Sequence, residues 1–287
     1  MKLSCQAPAK INRELRVGGL RADGFHEIRS RIVSIDLADR LTAEAADGLE
    51  FSCDDPAVPA GEANLMVRAA NLLARRAGVT PRVRLHLEKR TPMGGGLGGG
   101  SADAAIALRL LARLWELPGA EEWLPQLAAE LGSDVPFFLK GGQADVSGRG
   151  EIVSPVEDSP GVELLLLVPP ISISTAAVYR AYAGRGRLPL RLEVESSARG
   201  PRFLGPNDLA PAVLQMEPRM EAYLESAARA TPDCAISGSG ASIVLCGAGP
   251  EAERQLLARH PEARLYRCQT LTRREYECRT NPTGGAS

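Results

Sequence analysis

The chain predicts an α+β fold in two units, and three observations carry that expectation. Segments that alternate apolar and polar residues open the chain and recur before a glycine-rich loop, which runs into a strongly apolar helix. A polar stretch bearing Pro and Ser, Ser154 to Gly161, breaks the pattern near the middle and marks a domain boundary. Beyond it, Val162 to Val168 is an apolar run with the length of a buried strand, and more strands and helices succeed it. The expected division is 1–158, 159–280 and a disordered tail at 281–287, and 287 residues suffice for two modest domains.

Composition narrows the classes of function. Lys and Arg total 34 against 35 Asp and Glu, so the formal charge of −1 gives no global attraction to nucleic acid or a membrane surface. Aromatic residues, at 4%, are too few for base-stacking platforms. No apolar run reaches the length of about 18 residues that a membrane span needs. The six cysteines lack C-x-x-C spacing and do not cluster with the three histidines, which predicts reduced thiols in a cytoplasmic protein. Lysine occurs at four positions, Lys2, Lys10, Lys89 and Lys140, so each is informative.

Met1 to Ala7 alternates as a strand, and Pro8 restricts its end to a sheet edge or terminus. Lys10 and Asn12 lie two apart, so in extended chain they share a face. They are either a clamp for phosphate and hydroxyl groups or a solvated edge pair. Asp23-Gly24 is a turn signal that sets Phe25 and His26 at the head of the next segment. These two grip a planar ring, or else Phe25 is core and His26 surface. Arg31 to Leu37 reads as a strand, with Leu41 to Glu44 and Leu49 to Cys53 as partners. Asn64 is the N-cap of a helix through Leu73, and Arg82 to Glu88 is a strand leading into the glycine loop.

In that loop, Met93-Gly94-Gly95-Gly96-Leu97-Gly98-Gly99-Gly100-Ser101, six of seven consecutive positions from Gly94 are glycine. Ser101 then reads as the N-cap of a helix containing Asp103 to Leu111. A loop emptied of side chains at a helix N-terminus offers free N–H groups and a partial positive charge to an anion, so phosphate is the expected guest. No Lys-Ser/Thr pair comes after the glycines, which excludes the P-loop. Gly94, Gly96 and Gly99 spell G-x-G-x-x-G, but the preceding strand alternates where a dinucleotide fold needs one apolar on both faces.

Glu121 to Glu130 is a further helix. Asp134, between Gly132 and the apolar Val135 to Leu139, is a helix cap or a partly desolvated acid or base, and the residues alone favour the cap. Gly141 to Glu151 reads as a hairpin, and a helix is capped near Ser174 or Thr175 and contains Tyr179. Gly184 to Pro206 lacks periodicity and is expected to be a mobile loop; helix runs from Asn207 through Ala230. Asp233 to Cys246 is strand, glycine–serine turn and strand; Glu251 to His260 is helix and Ala263 to Leu271 strand.

Taken in order, Pro8-Ala9-Lys10-Ile11-Asn12, Arg21-Ala22-Asp23-Gly24-Phe25-His26-Glu27, the Gly94–Ser101 loop, Gly132-Ser133-Asp134-Val135-Pro136-Phe137-Phe138 and Ile236-Ser237-Gly238-Ser239-Gly240 resemble the GHMP kinase superfamily. The resemblance implies an N-terminal domain like ribosomal protein S5 domain 2 and a ferredoxin-like C-terminal domain, with the active site between them. It also implies a reaction, in the branch serving non-mevalonate isoprenoid synthesis: the γ-phosphoryl group of ATP passes, with Mg²⁺, to the 2-hydroxyl of a cytidine-diphosphate-linked erythritol. On this resemblance Asp134 takes the hydroxyl proton and Lys10 stabilises the transferring group. Asn64, Met93, Gly94, Gly95, Gly96, Leu97, Gly98, Gly99, Gly100 and Ser101 hold ATP. Asn12, Phe25, His26, Ile32, Asp134 and Tyr179 hold the other substrate. No residue is implied as a metal ligand.

The sequence departs from the family pattern at three places. Arg13-Glu14 interrupts an apolar continuation, Ala102 replaces a usual second serine and so removes a hydroxyl from the phosphate or metal site, and Ile32 stands where an aromatic can line the cytidine pocket. The partner expected is a small molecule with a cytidine diphosphate group, without nucleic acid or membrane, acting on a monomer or weak homodimer. The rival readings are a non-catalytic nucleotide sensor, motivated by Ala102, and a dinucleotide oxidoreductase.

Overall fold

In the computed structural model, which describes residues 1–159, 161–183 and 202–284, strand character at the start of the chain runs far beyond Ala7. β1 (Lys2–Leu20) and β2 (His26–Glu44) form one long antiparallel hairpin, closed by the turn at Asp23-Gly24. Pro8 does not end the strand: the register shifts between Pro8 and Lys10, a bulge that absorbs the residue lacking an N–H. A second shift between Asn12 and Glu14 absorbs Arg13, so the interrupted pattern there costs no pairing beyond it. The segments 31–37 and 41–44, read as separate strands, are parts of β2.

β3 (Leu49–Cys53), α1 (Leu65–Ala77) and β4 (Val83–Glu88) come next, β3 and β4 pairing in parallel. After the glycine loop come α2 (Gly99–Leu114), α3 (Leu124–Leu131), the short α4 (Val135–Phe138) and the hairpin β5 (Gln143–Ser147) with β6 (Ile152–Pro155). A short terminal strand, β11 (Thr283–Gly284), completes the sheet, whose order is β11-β1-β2-β4-β3 with β5 also on β2. Helices α1 to α4 cover it through a core containing Leu85, Ile106, Leu110 and Phe137, and Ile32 lies in this core.

The second unit comprises β7 (Glu163–Val168), α5 (Thr175–Ala183), α6 (Ala210–Met216), α7 (Met220–Ala230), β8 (Cys234–Ile236), β9 (Ile243–Cys246), α8 (Pro250–Arg259) and β10 (Arg264–Gln269). Its antiparallel sheet has the order β10-β7-β9-β8. β7 is buried on both faces, which explains its unbroken apolar run. Leu165 and Leu167 face the helices, while Leu164, Leu166 and Val168 meet Ala9, Ile11, Val33 and Ile35 of the first sheet. The helix expected from Asn207 through Ala230 is two helices, broken between Met216 and Met220 where Pro218 forbids continuation. Most of the expected mobile loop, 184–201, lies outside the described residues.

Within the expected tail, 281–287, Thr283 and Gly284 form a strand, and a helix precedes it. α9 (Arg273–Thr280) starts at a capping box, Thr272 with Glu275, and β11 pairs with β1; residues 285–287 lie outside the described residues. α9 is polar throughout except for Tyr276, which is fully buried and donates its hydroxyl to the Phe138 carbonyl at 2.5 Å. All six cysteines are free thiols. No helix among the described residues is long and apolar enough to cross a membrane.

Tyr276→Phe leaves the Phe138 carbonyl buried without its donor. Urea denaturation should register a loss of about 1–3 kcal/mol; an unchanged midpoint would show that the bond contributes nothing to stability.

Candidate active site

Between the two units lies a cleft of about 1120 Å³, larger than the roughly 300–1,000 Å³ of an ordinary small-molecule site and so able to take two ligands together. Its floor is β1. Lys10 and Asn12 do point to one face: Lys10 Nζ donates to Asn12 Oδ1 at 2.7 Å, and Asn12 Nδ2 donates to Ser30 Oγ at 2.8 Å. This pair is buried rather than a solvated edge, and it lines the cleft.

The glycine loop folds directly over it. The Lys10 backbone N–H donates to the Leu97 carbonyl at 2.9 Å, and a side chain at Gly98 would press to 3.1 Å on the Lys10 stem. Gly98, at φ 70°, is the N-cap residue of α2, so Ser101 lies within the first turn instead of capping it. The left-handed glycine starts the helix three residues earlier than a serine cap would. The first intrahelical bond runs from Ala102 N to Gly98 O, which leaves the N–H groups of Gly99, Gly100 and Ser101 ahead of it and toward the cleft.

A second loop braces the first. Ala241 N and Ser242 N donate to the carbonyls of Gly94 and Gly95 at 3.3 and 3.2 Å, and Ser237 Oγ accepts from Asn12 N at 3.2 Å. The glycine–serine turn is thus a place of close backbone approach, where a Cβ at Gly96 would stand 2.3 Å from the Ser237 carbonyl.

Asp134 stands at the start of α4 but makes no side-chain cap; its backbone is helical, so the carboxylate is turned away from the helix N–H groups. Asp134 Oδ2 lies 3.7 Å from Lys10 Nζ, with its side chain 43% exposed against 6% for the lysine. The cap favoured from local sequence gives way to a carboxylate free in the cleft beside a buried ammonium.

At the other end of the cleft the hairpin turn presents Phe25, 47% exposed, and His26. His26 Nδ1 donates to the Gly18 carbonyl at 3.0 Å, which fixes the hydrogen on that nitrogen and leaves Nε2 as an acceptor. The Tyr179 ring stacks on His26 at 5.8 Å and 23°, and Tyr182 meets it edge-on at 5.7 Å. Burial, with the charge of Asp134 second, raises the Tyr179 phenol above its ordinary range, so it stays neutral.

Asn64, Met93 and the residues from Gly94 to Ser101 all line the cleft; Asn64 also caps α1, accepting from Met66 N at 2.8 Å. Ile32 does not line it. At 3% exposure it is packed into the core beneath α2: it shares a face with its partner Asn12, but the helices cover that face at Ile32. Ala102 is likewise fully buried in that core and does not line the cleft.

Sequence reasoning missed Arg149. From the turn between β5 and β6 its guanidinium lies 4.9 Å over the Phe25 ring and lines the cleft. No local pattern signals this; only the pairing of β5 on β2 brings it there. Lys89 and Asp103 also line the cleft, and no motif pointed to either.

Residues 64–142 match the model of the GHMP kinases N terminal domain. The chain is 40% identical over 257 residues to a 4-diphosphocytidyl-2-C-methyl-D-erythritol kinase of Salinibacter ruber, covering 86% of this chain and 90% of that one. With the corresponding kinase of Gloeobacter violaceus it shares 38% identity over 281 residues, 92% and 93% of the two chains. A crystal structure of 4-(cytidine 5'-diphospho)-2C-methyl-D-erythritol kinase superposes with a TM-score of 0.76 at 36% identity, covering 93% of this chain and 98% of that one. Homoserine kinase from Cytophaga hutchinsonii shares the fold, with a TM-score of 0.66 at 17% identity over 94% and 95% of the two chains.

A Cβ at Gly96, whose φ is +72°, would sit 2.3 Å from the Ser237 carbonyl, whereas one at Gly100 meets nothing within 4 Å. Gly96→Ala should cost at least about 1 kcal/mol in stability and most of the nucleotide affinity, both read from thermal unfolding with and without ATP. Gly100→Ala serves as the tolerated control for stability alone; equal thermal unfolding of the two variants without ATP would refute the packing argument.

Proposed function

The chain belongs to the 4-diphosphocytidyl-2-C-methyl-D-erythritol kinases of the GHMP kinase superfamily, and from that membership we propose that it transfers the γ-phosphoryl group of ATP to the 2-hydroxyl of 4-diphosphocytidyl-2-C-methyl-D-erythritol. The observation that carries the reading is the juxtaposition of the Lys10 ammonium and the Asp134 carboxylate, 3.7 Å apart and directly beneath the bend at Gly98.

The N–H groups at the start of α2 receive the triphosphate, and the glycines let it approach without a side chain between. Asp134, half-exposed in the cleft, orients the acceptor hydroxyl and takes its proton as the oxygen attacks. The new O–P bond forms while the bond from the γ-phosphorus to its bridging oxygen breaks, and ADP leaves. Lys10, positioned by Asn12, offsets the negative charge on the transferring group. Phe25, His26 and Tyr179 take the cytosine: two ring faces stack, and His26 Nε2 accepts a hydrogen bond from the exocyclic amine. Arg149, a cation beside this aromatic group, suits a diphosphate.

Among the described residues no group of three or more His, Cys, Asp or Glu could cage a metal. Mg²⁺ is commonly held by nucleotide phosphates, water and one or two carboxylates. Of the two carboxyl groups lining the cleft, Asp134 is the exposed one and would complete such a shell, and the bound ion would offset phosphate charge.

The first sheet with its helices is read as the S5 domain 2-like nucleotide-binding domain, over 1–158. The second, over 159–280, is read as ferredoxin-like, supported by its antiparallel order β10-β7-β9-β8. With Ala102 in the core, the sensor reading loses its motive.

Coupled measurement of ADP release with the cytidylated substrate tests the proposal; turnover on homoserine or mevalonate in its place would reject it. Asp134→Ala should lower kcat by about 100-fold or more, the scale of general-base catalysis, while ATP still protects the chain thermally. Retained kcat would remove Asp134 from its role.

A further inference from the structure

Beneath the glycine loop, and unused by the mechanism, two carboxylates share one ammonium. Lys89, at the exit of β4, donates from Nζ to Asp39 Oδ2 of β2 at 2.6 Å and to Asp103 Oδ2 of α2 at 2.8 Å. All three side chains are nearly or wholly removed from solvent, the most open being 6% exposed. The cluster lies against the first turn of α2: a Cβ at Gly99 would stand 3.1 Å from Lys89 Nζ and 2.8 Å from the Thr91 methyl.

The two acids are not equivalent. Asp39 Oδ1 accepts from the backbone N–H groups of Arg90 and Thr91 at 2.6 and 2.7 Å, so with Lys89 its charge is held by three donors. Asp103 has Lys89 alone, and its Oδ1 is buried without a hydrogen-bond partner among the described residues. A charged oxygen without a donor is far costlier to bury than a neutral carboxyl. With both acids ionised the cluster would also carry one uncompensated negative charge just behind the helix end that receives phosphate.

We propose that Lys89, Asp39 and Asp103 form a buried triad that positions the start of α2 for the nucleotide, with Asp103 holding the proton that keeps the triad neutral. This rests on the kinase reading for the identity of the ligand. Burial pushes the Asp103 carboxyl up to about 8, against the attraction of Lys89 and with the repulsion of Asp39 adding to it. Lys89 is raised: burial lowers it, but the two carboxylates outweigh that. A carboxyl raised in the folded state contributes stability below the ordinary carboxylate range, and that stability is lost as pH climbs toward and through about 8. Bound phosphate disfavours the ionised form further, so ATP affinity falls once Asp103 loses its proton.

The test is calorimetric titration of the full chain with ATP from about pH 7 to about pH 9.5, wild type against Asp103→Asn. The wild type should weaken by about threefold or more, roughly 0.7 kcal/mol, relative to Asp103→Asn, in which nothing titrates at that position. Lys89→Met should raise the Kd for ATP by about tenfold or more while leaving the KM for the cytidylated substrate within about twofold. Parallel pH profiles for wild type and Asp103→Asn would overturn the proposal, as would Lys89→Met binding ATP like the wild type. If Lys89→Met does not fold, the pH comparison decides alone. A wild type that binds no ATP would overturn the kinase reading and this one with it; ATP binding with identical profiles would overturn this one alone.

Discussion

A buried ammonium is the constraint around which the two units are assembled. Lys10 is 5% exposed, and a charge so far from water must be surrounded by oxygen acceptors or it destabilises the fold. Its partners come from separate parts of the chain: Asn12 from its own strand, Asp134 from the start of α4 and, through its backbone, Leu97 from the glycine loop. Ser237 then holds Asn12 from the second unit. Closing the cleft around Lys10 therefore requires both sheets.

That closure dictates where side chains are tolerated. The loops at 94–98 and 237–242 approach backbone to backbone, with hydrogen bonds from Ala241 and Ser242 to Gly94 and Gly95. At Gly96 a single added carbon would collide with the Ser237 carbonyl. The glycines thus serve two needs: room for an anion on one side and contact with a second loop on the other. A loop that only bound phosphate would not need the second.

The motifs were legible because they are local. Asp23-Gly24 makes the predicted turn, Asn64 caps the predicted helix, and Lys10 and Asn12 share a face because strands alternate. Errors arose where a distant partner decides. Pro8 reads as a strand end until the bulge at its position is known, and Ile32 reads as a cleft residue until the helices packed over it are known. Asp134 reads as a cap by its neighbours, but Lys10 lies beside it only after folding. α9 was missed because one buried aromatic gives no apolar period, although Thr272 and Glu275 already spelled a capping box. Arg149 had no local signal at all.

The two lysines of the cleft show how partnering divides a single kind of side chain between structure and chemistry. Lys89 donates to two buried carboxyl groups at 2.6 and 2.8 Å, so its position and its charge are fixed by partners within the fold. Lys10 donates to a neutral amide at 2.7 Å and reaches its carboxylate at 3.7 Å, beyond hydrogen-bond distance, on an acid that is itself half in water. Its positive charge is therefore incompletely satisfied and directed into the cleft. An ammonium held in place but short of a close counter-ion is suited to stabilise charge that appears only as a phosphoryl group moves. Lys89, equally buried and equally charged, keeps the surface on which that group rests in place.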